Sequence, residues 1–139
     1  MKPFSFFIMN KSVKRQASDT HLSDALVKEA LDRISMAREI AASQKSKYVV
    51  ENAYEAIREC IDSILFLRGY KSYSHEASIA YLDELEFTVP EIEHADWLRK
   101  KRNGIKYYGE DASEEEAKEA LKIADILIQK LIKKKKNLT

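Results

Sequence analysis

Apolar side chains recur every three or four residues in five segments of this chain, which is the pattern of helices that each bury one face. The segments cover approximately residues 20–43, 47–68, 75–86, 88–108 and 113–134. Three glycines and two prolines occur among the 139 residues, which is too few for a fold with many turns and hairpins. The sequence therefore predicts an all-α fold, an up-and-down antiparallel bundle of about five helices joined by short links.

The chain before the first helical segment has no helical period. Its apolar residues are Phe4, Phe6, Phe7 and Ile8. They fit a short docked strand, an arm that packs on a partner, or a flexible leader, since chain termini are often loose. We therefore expect an N-terminal leader over residues 1–18, one helical bundle over 19–136 and a short C-terminal tail over 137–139.

Composition restricts the classes of protein to which the chain can belong. Hydrophobic residues make up 45% and charged residues 34% of the sequence, which is typical of a folded globular protein. No apolar run reaches membrane-spanning length, and the apolar start lacks a signal-peptide cleavage site. The net charge is +1, so any basic binding site must be local. We expect a cytoplasmic protein with no membrane association.

Metal and cofactor chemistry have little support in the sequence. His21, His75 and His94 each stand alone, and the single cysteine, Cys60, falls on the apolar face of a predicted helix. Tetrahedral metal sites need three or four such ligands at regular spacing. No glycine-rich loop precedes a Lys-Ser or Lys-Thr pair, so a phosphate-binding loop of that type is also absent. We expect no metal and no cofactor.

The most informative stretch is RKKRNGIKYYG, residues 99–109. Arg102 lies beside the apolar stripe of its helix, only about 40° from Leu98 at 100° per residue. A cation in that position is costly unless it is paired or opens onto a wet cleft. Two interpretations remain open. Arg102 either binds a phosphate, with Asn103 orienting it, or forms a buried ion pair with an acid such as Glu51, Glu55 or Asp62.

Aromatic residues and a histidine near the predicted helix ends also have two interpretations. The aromatic set is Tyr70, Tyr73, Trp97, Tyr107 and Tyr108. These side chains either pack at the rim of the bundle or stack on bases beside cations, which is how single-stranded RNA is bound with little sequence preference. His75 begins the third helical segment. It is either a polar residue that orders the preceding link or a residue of a functional cleft.

Two long segments resemble the HEPN domain family. They are TVPEIEHADWLRKKRNGIKYYGEDASEEEAKEALKIADILI and ENAYEAIRECIDSILFLRGYKSYSHEA, within a resemblance that covers about residues 20–135. The family's hallmark is an arginine, often followed by asparagine, with four to six residues between the arginine and a histidine. Arg102 and Asn103 match the first half, and Tyr107 stands where the histidine is expected. An unperturbed phenol, with a pKa of about 10, exchanges protons poorly near neutral pH.

The resemblance implies a helical homodimer with a composite site. It places Arg102, Asn103 and Tyr107 at the positions of a metal-independent ribonuclease site. It also implies a toxin–antitoxin pair with a minimal nucleotidyltransferase, in which Tyr107 or Tyr108 is the acceptor of a transferred nucleotide. Around these positions, the residues that we expect to bind RNA or a nucleotide are Arg99, Arg102, Lys106, Tyr108 and His75.

Three functional hypotheses follow. The first is a protein that binds RNA or a nucleotide phosphate in a cleft around Arg102 and Asn103. The second is a non-catalytic interaction module, in which Arg102 forms a structural ion pair and Trp97 and the N-terminal phenylalanines contact a partner. The third is an active ribonuclease that recruits His75 or His94, which requires one of these histidines to reach a phosphate bound to Arg102.

Overall fold

A computed structural model describes all 139 residues and confirms the all-α bundle. It contains six helices and a small two-stranded sheet, so the expected count of about five is short by one helix. The elements in chain order are α1 (Phe4–Met9), β1 (Val13–Arg15), α2 (Thr20–Ala41), α3 (Ser46–Leu67), β2 (Tyr70–Ser72), α4 (His75–Glu84), α5 (Val89–Tyr108) and α6 (Glu114–Leu138).

Side-chain caps explain where most of the helices begin. The Asp19 carboxylate accepts a hydrogen bond from the Leu22 amide at the start of α2, and Ser74 does the same for Ala77 at α4. Reciprocal capping boxes open α5 at residues 88–91 and α6 at residues 113–116. Such caps satisfy amide groups that have no partner within the helix. Their local sequence signatures are the reason that these boundaries are predictable.

Helix α3 is the centre of the bundle. It packs against α2, α4, α5 and α6. Its buried side chains include Tyr54, Ile57, Ile61 and Ile64, each with no exposed surface. Three polar side chains on the same helix, those of Glu59, Asp62 and Ser63, are also buried. Because buried charges must be paired or hydrogen-bonded, Glu59 pairs with Arg33 of α2 and Asp62 accepts a hydrogen bond from Ser78 of α4, which ties both helices to α3.

The N-terminal segment packs on the bundle. Phe4 and Phe7 are buried, and Phe4 makes edge-to-face contacts with Tyr70 and Tyr81. The docked part is a helix, and not the short strand that was one of the three interpretations of this segment. The strand lies later, at β1, which pairs antiparallel with β2. We call the β1–β2 pair the ribbon. The residues assigned to a leader therefore add α1 and half of the ribbon to the fold.

Gly69 allows the chain to turn from the end of α3 into strand β2 of the ribbon. Its φ of +83° lies in the left-handed region, and a Cβ at this position would come within 2.8 Å of the Gln16 carbonyl oxygen. The Gln16 amide in turn donates to the Gly69 carbonyl oxygen at 2.9 Å. Only glycine accommodates both the conformation and the close backbone contact.

The other end of the chain continues as helix. Helix α6 runs to Leu138, beyond the expected start of the tail at residue 137. The Lys135 ammonium lies 2.6 Å from the Asp24 carboxylate of α2, which ties the last turns of α6 to the bundle. None of the helices is long and apolar enough to span a membrane.

Candidate functional site

One cleft in the bundle surface is lined entirely by charged and polar side chains. Its volume is about 490 Å³, and we call it the polar cleft. Its lining comes from α2, α3, α4 and α5, and consists of Arg33, Glu51, Glu55, Arg58, His75, Arg102 and Lys106. Four cations therefore face two carboxylates and one imidazole. Arg33 and Arg58 also pair with Glu59 and Asp62, which lie outside the lining, so the cleft offers guanidinium and ammonium donors for an anion rather than a surplus of charge.

Arg102 forms part of the cleft wall while it is almost completely buried. Its side chain is 7% exposed, and its Nη2 lies 3.0 Å from Oε1 of Glu55. Nη1 donates to the side-chain oxygen of Asn103 at 3.3 Å. The guanidinium also lies 5.7 Å from the ring centres of Tyr54 and Tyr107. Arg102 therefore forms a buried ion pair, as the structural interpretation predicts. It also lines a cleft, as the phosphate-binding interpretation predicts.

Glu55 holds a second arginine as well. Arg58 donates to Oε2 of Glu55 through Nε at 3.1 Å and Nη2 at 2.7 Å. Burial alone would raise the pKa of Glu55, but the positive charges of Arg58 and Arg102 outweigh it and lower that pKa. The carboxylate is therefore ionised at neutral pH, and it fixes two guanidinium groups at the cleft.

Arg58 is anchored on its other side by Asp62. Nη1 of Arg58 lies 2.7 Å from Oδ2 of Asp62, whose Oδ1 accepts a hydrogen bond from Ser78 at 2.8 Å. Burial raises the pKa of Asp62, although Arg58 and Ser78 both oppose that rise. The chain of contacts joins α3 to α4. These contacts therefore restrict the orientation of the Arg58 guanidinium and the position of α4, the helix that begins with His75.

His75 packs on a buried tyrosine of α3. Oη of Tyr54 lies 2.9 Å from Nδ1 of His75, and the two rings are nearly parallel, with centroids 5.7 Å apart. Burial, together with the charges of Arg58 and Arg102, lowers the pKa of His75. Burial also raises the pKa of Tyr54, so its phenol stays neutral. The cleft therefore contains a neutral imidazole whose orientation is set by a phenol.

Three of the residues that the sequence analysis selected line the polar cleft. They are Arg102, Lys106 and His75. Asn103 and Tyr107 join this group through their contacts with Arg102. Arg99 instead pairs with Asp96 at 2.8 Å and does not line the cleft. Tyr108 is 79% exposed and is likewise not part of its lining.

Most of the contribution of α3 was not predicted from the sequence. Glu55 was named only as one possible ion-pair partner, and Tyr54 and Arg58 were not selected. A signal for Arg58 is present, because it follows Glu55 by three residues and precedes Asp62 by four, the spacings at which helical side chains meet. Tyr54 carries no such signal, since a tyrosine at an apolar helix position is usually an ordinary core residue.

The histidines, cysteine and acids of the structure form no metal-binding group. No cluster of three or more such side chains is arranged to hold an ion. His94 is exposed on α5 and does not line the cleft, and Cys60 is buried in α3. Burial raises the pKa of the Cys60 thiol to about 12. The thiol is therefore protonated and behaves as a small core side chain.

Comparison with known proteins gives one match. The model of the HEPN domain family matches residues 23–135. This span includes nearly all of α2 and the complete α3, α4 and α5, from which the polar cleft is built. It leaves out α1 and β1. No curated protein matches the chain.

Proposed function

Because this chain belongs to the HEPN domain family, we propose that it binds RNA or a nucleotide through phosphate groups in the polar cleft. The observation that supports this most directly is the lining of the cleft, where four cations and His75 face two carboxylates without an apolar side chain. Guanidinium forks match the geometry of phosphate oxygens and stay charged at every physiological pH.

The arginines of the cleft are positioned before any ligand arrives. Glu55 and Asp62 hold Arg58, while Glu55 and Asn103 hold Arg102. A phosphate that enters the cleft meets donors whose side-chain freedom has already been restricted, which reduces the entropic cost of binding. Glu55 competes with the phosphate for Arg102, so the affinity for the ligand reflects the balance between the two anions.

The proposal also includes the assembly and the setting that the family resemblance implies. We propose a homodimer that works in the cytoplasm beside a nucleotidyltransferase as a toxin–antitoxin pair. Tyr107 and Tyr108 are 62% and 79% exposed at the end of α5. Their accessibility supports a role as acceptors of a nucleotide. Mass measurement of the protein alone and with a candidate transferase and ATP tests the dimer and the transfer separately.

Lys106→Ala tests the cleft with little risk to folding. Lys106 is exposed, lines the cleft and forms no salt bridge. We expect the variant to bind a short single-stranded RNA about fivefold more weakly. We also expect the slope of log K against log salt to fall by about 0.7, because one phosphate contact is lost. Fluorescence anisotropy in EDTA over a range of salt concentrations measures both.

Lys100→Ala is the matched control. Lys100 lies on the same helix, is 69% exposed in its side chain and pairs with Asp96 away from the cleft. Lys100→Ala makes the same change of charge as Lys106→Ala, and it should leave the affinity for RNA and the salt slope as in the wild type. Equal losses in the two variants would assign the binding to overall charge and would contradict a site in the cleft.

A metal-independent ribonuclease is the second candidate, and the position of His75 favours it. His75 lines the same cleft as Arg102, which supports the hypothesis that it reaches a phosphate bound to Arg102. The neutral imidazole would accept the proton of a 2′-hydroxyl as its oxygen attacks the adjacent phosphorus. Arg58 and Arg102 would offset the developing charge. The bond to the 5′ oxygen would break, and that oxygen would take the proton, leaving a 2′,3′-cyclic phosphate and a 5′-hydroxyl.

His75→Ala separates binding from cleavage. If the second candidate is correct, the wild type cleaves single-stranded RNA in EDTA, and the variant binds the same RNA but cleaves it at the background rate. His94→Ala, which removes an exposed histidine outside the cleft, should cleave normally. Gel analysis of end-labelled RNA measures the rates. A wild-type protein that binds RNA without cleaving it eliminates the ribonuclease and leaves the binding function in place.

A further inference from the structure

The ribbon presents an unusual arrangement of charge. In its antiparallel register Lys14 stands directly opposite Lys71. Like charges at directly opposed positions destabilise a strand pair. No carboxylate compensates for them, because neither lysine, nor the neighbouring Arg15, forms a salt bridge with an acid. The other basic clusters of the bundle do contain such pairs, as Arg58 and Lys101 illustrate.

An exposed tyrosine lies beside both lysines. The ammonium groups of Lys14 and Lys71 lie 5.5 Å and 5.2 Å from the ring centre of Tyr73. Tyr73 is 61% exposed, and its amide donates to the Ser12 carbonyl oxygen at 2.7 Å, which extends the ribbon by one hydrogen bond. An accessible aromatic ring beside unpaired cations is the arrangement with which proteins bind single-stranded nucleic acid.

The ribbon is continuous with the polar cleft. A small depression of about 130 Å³ runs beside Tyr73, and its lining includes Arg58 and His75, which also line the cleft. Tyr73 and His75 are two residues apart in the chain, so their Cα atoms lie within about 7 Å of each other. A strand whose phosphate occupies the cleft therefore has a direct path past His75 to the ring of Tyr73.

We propose that the ribbon is a second subsite for single-stranded RNA, in which a base stacks on Tyr73 and the flanking phosphates bind Lys14 and Lys71. This inference rests on the proposed function, since the same strand would place another phosphate in the polar cleft. It identifies the ligand as an RNA chain of several nucleotides. Lysine side chains are flexible, so their ammonium groups can move from the ring to the phosphates when the strand binds. β1, which supplies Lys14, lies before the segment matched by the family model.

The experiment compares a ligand that fills one subsite with a ligand that reaches both. Fluorescence anisotropy gives the affinity of the dinucleotide UpU, by competition, and of a labelled oligouridylate of about ten nucleotides. The proteins are the wild type, Tyr73→Ala, the double variant Lys14→Ala/Lys71→Ala, and Lys106→Ala for the cleft. The matched control is Lys100→Ala/Lys118→Ala, which removes two lysine charges from exposed positions of α5 and α6.

We expect the longer RNA to bind the wild type at least about tenfold more tightly than UpU. Tyr73→Ala and the double ribbon variant should each lose about fivefold or more of that affinity, and should bind UpU as the wild type does. The double ribbon variant should also lower the salt slope by about 1.4, which corresponds to two phosphate contacts. The control should match the wild type in affinity for both RNAs. Because all three ribbon side chains are exposed, melting temperatures should not fall, and relief of the repulsion between Lys14 and Lys71 should raise that of the double variant slightly.

The possible failures are distinguishable. One failure is that Lys106→Ala binds both UpU and the longer RNA more weakly, while the ribbon variants match the control. That result overturns the ribbon subsite and retains the cleft. If the ribbon variants lose affinity for the longer RNA but Lys106→Ala does not, the cleft proposal is overturned and the ribbon is an RNA site on its own. If neither RNA binds the wild type, both proposals are overturned.

Discussion

Arg102→Ala is expected to weaken the binding of single-stranded RNA by at least about 30-fold, the largest loss among the single substitutions of the cleft. Arg102 is nearly buried, is oriented by Glu55 and Asn103, and lies at the cleft wall. In the complex, Arg102 and a phosphate would form a buried charge pair. Truncating one member of such a pair typically costs about 2 kcal/mol or more, and each 1.4 kcal/mol is about tenfold in affinity. Anisotropy titrations in EDTA measure the loss.

The same substitution should also lower the free energy of unfolding, by about 1–3 kcal/mol. Its cost is moderated because Glu55 retains its two hydrogen bonds from Arg58. Chemical denaturation therefore has to accompany the binding assay. Arg102→Lys keeps the charge without the planar fork, so we expect it to bind RNA more strongly than Arg102→Ala and less strongly than the wild type.

Unchanged RNA binding by Arg102→Ala would contradict the proposed role of Arg102 in the cleft. If Arg102→Ala is less stable but binds RNA as the wild type does, then Arg102 serves only as a structural ion pair. The protein would then fit the interaction-module hypothesis, in which the exposed face around Trp97 contacts a partner. A comparison of partner binding by the wild type and Arg102→Ala would then be the decisive measurement.

Glu55→Gln should change stability and binding in opposite directions. The substitution keeps the size of the side chain but removes the negative charge shared by Arg58 and Arg102. We expect the free energy of unfolding at neutral pH to fall by about 2–4 kcal/mol, since the buried guanidinium of Arg102 loses its counter-ion and that of Arg58 keeps only Asp62. We expect the affinity for RNA to rise severalfold, because the carboxylate no longer competes with the phosphate.

The pH dependence of this stability loss follows from the pKa of Glu55. In the folded protein, Arg58 and Arg102 lower that pKa below its ordinary value of 4.5, although burial opposes the shift. The ionised carboxylate therefore contributes its full stabilisation above pH 4.5, and the contribution disappears as the pH falls through the lowered pKa of the folded state. The stability difference between wild type and Glu55→Gln should be large at neutral pH and small in strong acid.

Glu51→Gln is the matched control for Glu55→Gln. Glu51 lines the same cleft on the same helix but forms no salt bridge, so its substitution should leave stability within about 0.5 kcal/mol of the wild type. A fall in RNA affinity for Glu55→Gln, comparable to that of Arg102→Ala, would contradict the competition between the carboxylate and the phosphate. It would indicate that Glu55 is needed to hold the arginines in place.

The candidate site was only partly predictable. The sequence selected Arg102 because a cation beside an apolar stripe requires a special environment, and that environment is present. It also selected His75 and Lys106, which line the cleft, and Arg99, which does not line it. Arg58 and Tyr54 were missed. Part of their importance comes from α4, where His75 contacts Tyr54, and Ser78 donates to the Asp62 that holds Arg58.

By itself, the sequence determined five of the six helices of this protein and many of their ends. Helical periodicity, capping boxes at residues 88–91 and 113–116, and the left-handed glycine at Gly109 all depend on interactions within a few residues. The hydrogen bonds that form a helix join residues four apart, so the local sequence contains the information needed to place it. The family resemblance adds to this the position of Arg102 and Asn103 in α5.

Only the tertiary structure decided how those helices make a site. It placed Glu55 between two arginines, brought His75 against Tyr54, and folded residues 4–9 as a docked helix where the apolar cluster permitted a strand. These outcomes depend on which helix faces meet and at what angle, and that is set by the packing of the whole core around α3. Side chains 20 or more residues apart, as Tyr54 and His75 are, carry no local signal of their contact.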